Sequence, residues 1–149
     1  MVVRQTSFDL LEECPITCSS WVGAAIETLA ASGGKEERGA VFTRQTVVGF
    51  ILDLAGYTVD RPLHTMRLLE PSFGGGDFLL PIIVRLLAAW RAAGARVSAL
   101  DVLGNAIFAV ELHRNTWRTT RAAVVSFLRS EGLAPDAAEG LAERWLHQG

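Results

Sequence analysis

Apolar residues recur along the chain with the period of an α-helix, and turns rich in glycine, proline or charge separate these stretches. The predicted helices are residues 7–31 with a break near Pro15, the stretch between the candidate cap Thr43 and the candidate stop Gly56, and residues 78–93, 115–129 and 135–146. Pro81 is compatible with its helix only within the first turn or so.

Two short apolar runs, residues 66–70 and 106–111, are bounded by turns and predict buried parallel strands. The order of strand, helix, strand and helix implies right-handed βαβ units and a parallel sheet. Two strands do not make a stable parallel sheet, and the pattern stops near His147, about where a third strand or its loop should come. We therefore predict an incomplete α/β domain over residues 39–149, preceded by a helical segment over residues 1–38.

Composition narrows the function classes. Half of the residues are hydrophobic, a fifth are charged and the net charge is −2, so the chain as a whole is not a basic nucleic-acid-binding module. One locally basic stretch carries Arg114, Arg118, Arg121 and Arg129, interpreted as a solvated helix face or a weak contact with nucleic-acid phosphate. Neither a membrane span nor a secretory signal is recognisable, which predicts a cytoplasmic location.

The two cysteines, Cys14 and Cys18, lack nearby histidine or further cysteine, so no metal site is predicted. We interpret them as small apolar residues.

Candidate chemistry lies where the first strand ends. Glu70 closes that strand, and Gly74, Gly75 and Gly76 follow before a helix. Glycines let the backbone approach a ligand closely, and the next helix directs free N–H groups at it. A ligand with both an ammonium and a carboxylate would use the acid and the loop amides, and the methionine part of S-adenosylmethionine is such a ligand.

Two further features fit this ligand. Glu111 ends the second strand, where an acid can accept hydrogen bonds from ribose hydroxyls, and Leu112 beside it can lie against adenine. Thr43 ends a segment that precedes a helix and could fold back over the site with its hydroxyl.

Other interpretations fit less well. A nicotinamide fingerprint needs a third glycine where Leu79 stands, and no Gly-Lys-Ser/Thr of a phosphate-binding P-loop occurs. A tight glycine turn without any ligand stays open as an alternative.

Three segments together resemble the amino-methylating DNA methyltransferases. Residues 68–79, LLEPSFGGGDFL, resemble the cofactor loop LEPxxGxGxFL. Residues 39–43 resemble the GxxYTP segment that precedes the loop, and residues 109–112 resemble the strand end GVEID. Their order matches the adenine-specific enzymes of restriction–modification systems. This resemblance implies a Rossmann-like fold and S-adenosylmethionine as cofactor.

The resemblance also implies residue roles. The implied cofactor-binding residues are Thr43, Glu70, Pro71, Ser72, Gly74, Gly76, Glu111 and Leu112. Thr43 would contact the methionine carboxylate, Glu111 the ribose and Leu112 the adenine. Arg44 and His113 depart from the family pattern beside these contacts.

The catalytic signature of the family, Asn/Asp-Pro-Pro-Tyr/Phe, is absent, because no two prolines are adjacent. We therefore expect the front, cofactor-binding portion of such an enzyme, inactive alone, with no catalytic residue of its own. DNA would bind through absent regions, and a partner chain or C-terminal segment would complete the sheet. Alternatives are a non-catalytic subunit acting in assembly or regulation, and a methyltransferase for protein or small molecules.

Overall fold

The computed structural model describes residues 43–94 and 98–149. The predicted helical segment over residues 1–38, with Cys14 and Cys18, lies outside these residues. The described elements, in chain order, are α1 (Gln45–Leu54), a short 3₁₀ turn (Leu63–Thr65), β1 (Leu68–Glu70), α2 (Leu79–Ala92), α3 (Ala99–Leu103), β2 (Ile107–Glu111), α4 (Arg114–Ser130), α5 (Pro135–Trp145) and β3 (Leu146–Gln148).

The three strands form one parallel sheet in the order β1-β2-β3. This arrangement confirms the α/β class and is compatible with part of a Rossmann-like sheet. The third strand, β3, lies about where the pattern stops and where a further strand was expected, and it follows α5 directly at Leu146 without an intervening loop. The short helix α3 was missed.

Side chains alternate between the two faces of the sheet, which corrects the prediction that both strands are buried. Ile107 and Ala109 are buried on one face, whereas Phe108 between them is 50% exposed. Leu69, the register partner of Phe108, is 65% exposed. His147 of β3 stacks on Phe108 with ring centroids 4.2 Å apart. We call the surface of Leu69, Phe108, Val110 and His147 the open face.

The core lies on the other face, under α2, α4 and α5. Pro81 is the third residue of α2, where its missing N–H leaves no intrahelical bond unmade, so it is tolerated as predicted. Trp145 at the end of α5 is fully buried, and its indole N–H donates to the Leu103 carbonyl at 2.8 Å. This bond ties α5 to α3 immediately before β3 begins.

A buried arginine fastens α1 to α2. The Arg85 guanidinium donates to Asp53 Oδ1 at 2.6 Å, to the Tyr57 carbonyl at 2.8 Å and to the Gly49 carbonyl at 3.2 Å. Arg85 is 8% exposed, so these three acceptors replace the water that its charge would otherwise need. The position of α1 is thereby fixed relative to the helix that follows the glycine loop.

Candidate functional site

The glycine loop turns sharply as it leaves β1. Gly74 and Gly76 have φ angles of 48° and 93°, in the left-handed region that favours glycine. A Cβ on Gly76 would lie 3.4 Å from Thr120 Cγ2, whereas one on Gly74 would meet open space. The Phe73 side chain is buried, with 3% of its surface exposed, and anchors the loop in the core. Its backbone N–H donates to the Val110 carbonyl of β2 at 3.1 Å. The loop is therefore held in one conformation by β2.

Glu111 joins the end of β2 to this loop. Its carboxylate oxygens accept hydrogen bonds from the backbone N–H of Gly74 at 3.0 Å and of His113 at 2.7 Å. Glu111 is 4% exposed and forms no ion pair within the described part of the chain. Each carboxylate oxygen has a second lone pair, so the group retains capacity to accept from a ligand.

Glu70 lies on the same face at the end of the neighbouring strand. The register pairs Glu70 with Ala109, two residues before Glu111, which puts the two acidic Cα atoms about 8 Å apart for ordinary strand spacing. Glu70 Oε1 accepts from the Ser72 N–H at 3.2 Å, and the other oxygen forms no hydrogen bond or ion pair with a described residue. Both acids thus border the loop at the carboxyl edge of the sheet, the edge where parallel sheets bind ligands.

Most backbone N–H groups of the loop already have acceptors within the protein, so fewer of them can bind a ligand than the sequence predicted. The N–H groups of Ser72, Phe73, Gly74 and Gly76 are already bonded within the protein. Among the described contacts, the N–H groups of Gly75 and Asp77 have no acceptor. These two amides, at the start of α2, are the donors that the loop can offer to an anionic group. We call Glu70, residues 74–77 and Glu111 the loop site.

Thr120 was missed by sequence reasoning. This α4 residue is 1% exposed, and its Oγ1 donates to the Gly74 carbonyl at 2.7 Å. Gly74 therefore has both backbone groups engaged, its N–H by Glu111 and its carbonyl by Thr120. The available signal was a hydroxyl on the helix face that also carries Val124 and Phe127, both buried.

Thr43 is brought to the loop as predicted, but by its backbone. The Thr43 N–H donates to Asp77 Oδ2 at 3.0 Å. The prediction that Thr43 caps a helix was wrong, because Arg44 is the N-cap of α1 and makes no side-chain cap bond. The Thr43 hydroxyl has no hydrogen-bond partner in the described ranges, so it is available to a ligand.

The remaining predicted residues lie around the loop site. Pro71 and Ser72 are exposed. Leu112 is 69% exposed next to Glu111, so its side chain is accessible at the loop site. Leu79, which stands where a nicotinamide fingerprint needs glycine, is fully buried as the first residue of α2.

The arginines of α4 are less free than the sequence indicates. Glu139 of α5 pairs with Arg121 at 3.0 Å and with Arg129 at 3.3 Å. Arg118 lines an open surface depression with Asn115 and Thr119. Because two of the four charges are paired across helices, the basic stretch is better described as a solvated face that holds α4 and α5 together.

The fold and the loop site define an α/β chain with acidic groups and free amides at the carboxyl edge of parallel strands, compatible with part of a Rossmann-like methyltransferase domain. No family profile matches the chain, and no solved structure matches it significantly. None of the helices in the described ranges combines the length and hydropathy needed to cross a membrane.

The chain is similar to proteins named as type II methyltransferases. It is 63% identical to M.PaeR7I of Pseudomonas aeruginosa over 136 residues, 91% of this chain. It is 50% identical to M.XhoI of Xanthomonas vasicola over 112 residues and 37% identical to M.BstVI of Geobacillus stearothermophilus over 111 residues, each 74% of this chain. The chain spans 23% of the length of the first relative and 20% of the other two.

Proposed function

We propose that this chain binds S-adenosylmethionine at the loop site, as part of a DNA methyltransferase of a restriction–modification system. The observation that carries the proposal is Glu111, a buried carboxylate with two amide donors and no ion-pair partner among the described residues. A buried charge with spare acceptor capacity is stabilised when a ligand supplies donors, and the two ribose hydroxyls supply them.

The charge of the ligand also fits. S-adenosylmethionine carries a sulfonium, an ammonium and a carboxylate, so it is a net cation. Glu70 offers for the ammonium a carboxylate oxygen that has no hydrogen-bond partner among the described residues, and the Gly75 and Asp77 amides offer donors for the carboxylate. The exposed Leu112 offers an apolar surface for adenine, and the hydroxyl of Thr43, whose amide binds Asp77, has no hydrogen-bond partner among the described residues.

We further propose that the acceptor is the exocyclic amine of adenine in DNA. Support comes from the order of the three segments, with the threonine segment and the cofactor loop first, which resembles the adenine-specific enzymes. The similarity to proteins named type II methyltransferases supports the reaction class. The base-gripping residues and the DNA-recognition region would lie in further polypeptide.

That further polypeptide would also cover the open face. The crossover helices α2 and α4 lie on the face opposite the open face. The strands follow the order β1-β2-β3 across the sheet, and right-handed crossovers between strands added in the same direction put their helices on the same face. Leu69 and Phe108 are exposed on the other side, and β1 pairs with β2 alone among the described strands, which leaves its other edge for a further parallel strand. A C-terminal segment or a partner chain would therefore add a strand beside β1 and helices over the open face.

Calorimetric titration with S-adenosylmethionine tests the cofactor site. We expect Glu111→Gln to weaken binding about tenfold to a hundredfold, since hydrogen bonds to a charged group contribute about 1.5–3 kcal/mol. Glu143→Gln, on the exposed side of α5, is the matched control and should bind like the parent. Equal affinity of the Glu111 and Glu143 variants would refute the assignment.

The acceptor is tested separately. A polypeptide that extends this chain over the full length of the relatives should transfer labelled methyl groups to DNA, and digestion to nucleosides should recover N6-methyladenine. Label in cytosine would overturn the adenine assignment, and label in protein alone would favour the alternative acceptor class.

A further inference from the structure

Asp77 makes a long-range contact that sequence reasoning did not anticipate. It is half-buried between Gly76 and α2, and its Oδ2 accepts the Thr43 N–H at 3.0 Å across 34 residues of sequence. No described cation pairs with this carboxylate. A charged acceptor on a backbone amide forms a stronger hydrogen bond than a neutral one, so this contact is a specific attachment of Thr43 to the loop.

The attachment acts at the opposite end of α1 from Arg85. Arg85 holds the helix through Gly49 and Asp53, whereas Asp77 holds the residue two positions before Gln45, where α1 begins. Between these anchors, Arg44 caps α1 with no side-chain hydrogen bond. The placement of Thr43 therefore depends on Asp77.

The geometry leaves one group of Thr43 for a ligand. Its amide is committed to Asp77, and its hydroxyl has no partner among the described contacts. The Asp77 N–H is likewise without an acceptor, while the Asp77 carboxylate is turned toward Thr43. Asp77 thus holds the Thr43 backbone beside the loop through its carboxylate, and its own amide N–H is available at the same place.

We propose that Asp77 is a positioning residue, which holds the Thr43 segment against the glycine loop so that the Thr43 hydroxyl reaches the methionine carboxylate of the cofactor. This inference rests on the proposed function. Asp77 acts through a hydrogen bond accepted by its oxygen, so an uncharged acceptor of the same shape retains much of the effect.

The test uses Asp77→Ala, Asp77→Asn, Thr43→Val and the Asp77→Ala/Thr43→Val double variant, with Glu143→Ala as the exposed control. We expect Asp77→Ala and Thr43→Val each to weaken S-adenosylmethionine binding about tenfold. Asp77→Asn should stay within about threefold of the parent, because its amide oxygen still accepts the Thr43 N–H. The double variant should be no more than about twofold weaker than the weaker single variant, since both changes remove one interaction.

A second measurement does not depend on the cofactor. Hydrogen exchange of the Thr43 amide should be several times faster in Asp77→Ala than in the parent and nearly unchanged in Asp77→Asn. Unchanged exchange in the alanine variant would overturn the attachment of Thr43 to Asp77, whether or not the parent binds the cofactor. Failure of the parent to bind the cofactor would instead refute the proposed function.

Three binding results would overturn the inference in a parent that binds. Asp77→Ala could bind as tightly as Glu143→Ala, Asp77→Asn could be as weak as Asp77→Ala, or the losses from Asp77→Ala and Thr43→Val could add. A large fall in melting temperature of Asp77→Ala but not of Asp77→Asn would leave the asparagine variant and the Thr43 exchange rate as the deciding measurements.

Discussion

Thr120→Val tests whether α4 holds the glycine loop through one hydroxyl. Valine has nearly the same shape, so the substitution removes the 2.7 Å bond to the Gly74 carbonyl without opening a cavity. Loss of a buried hydrogen bond costs about 1 kcal/mol, and a carbonyl left without a donor adds about 1–2 kcal/mol. Because Thr120 is 1% exposed, water cannot replace the hydroxyl without disturbing the core.

We therefore expect Thr120→Val to lower the free energy of unfolding by about 2 kcal/mol. For a chain of this length the corresponding fall in melting temperature is roughly 4–8 °C. Urea unfolding followed by circular dichroism measures the free energy directly. Affinity for S-adenosylmethionine should also fall, since Gly74 sits between the two acids of the loop site.

The same helix provides a matched control. Thr119 is exposed, and its Oγ1 donates to the Asn115 carbonyl at 3.0 Å within α4. Thr119→Val removes a hydroxyl-to-carbonyl bond of similar length with the same change in helix propensity, and should stay within about 0.5 kcal/mol of the parent. If both variants unfold at the same urea concentration, the Thr120 hydroxyl does not hold the loop.

Three further predictions follow from packing. Gly76→Ala should lower the free energy of unfolding by about 1–3 kcal/mol, because its φ is 93° and the Thr120 methyl group is close. Gly74→Ala should lower it by only about 1 kcal/mol, because its φ of 48° is also left-handed but the added Cβ would meet open space. Equal urea midpoints of the two variants would contradict this. Arg85→Met should destabilise by about 2–3 kcal/mol, whereas Arg91→Met, whose side chain is 42% exposed, should change unfolding by less than about 1 kcal/mol. Burial raises the pKa of Tyr57, and its hydroxyl has no hydrogen-bond partner among the described residues. Above pH 10.0, the ordinary pKa of tyrosine, the side chain therefore ionises in the unfolded state but not in the folded state. The stability of the parent should fall as the pH rises above that value. Tyr57→Phe should add about 1 kcal/mol at neutral pH and reduce that alkaline loss, and a urea midpoint below the parent's would refute it.

Much of the fold followed from periodicity. The helices α1, α2, α4 and α5 lie within a residue or two of their predicted bounds, because each carries a sustained apolar face. A third strand was expected about where the pattern stops, but the residues of β3 were not assigned to it, because no turn separates them from α5. Exposure of Phe108 was not predictable either, since an apolar run in a parallel strand normally indicates cover on both faces.

The candidate site was predictable in its acids and glycines but not in its connections. Glu70 and Glu111 stand at strand ends, where sequence order alone puts them at one edge of the sheet. Thr120 contacts Gly74 across 46 residues and Asp77 contacts Thr43 across 34 residues, and such pairings depend on how helices pack. From the sequence alone, Asp77 is interpreted as a favourable negative charge near the start of a helix. That interpretation gives no indication that its carboxylate binds Thr43.

Because α5 ends at Trp145 and β3 begins at Leu146, the position of the helix determines which side chains of β3 face the core. With no spare residue between helix and strand, an insertion there would turn Leu146 outward and His147 inward, since side chains alternate with every step. The buried indole of Trp145 resists any compensating shift of the helix. Differences in length between this chain and its relatives should therefore be absorbed in the turn of residues 131–134, which carries the left-handed Gly132, rather than at the helix–strand junction.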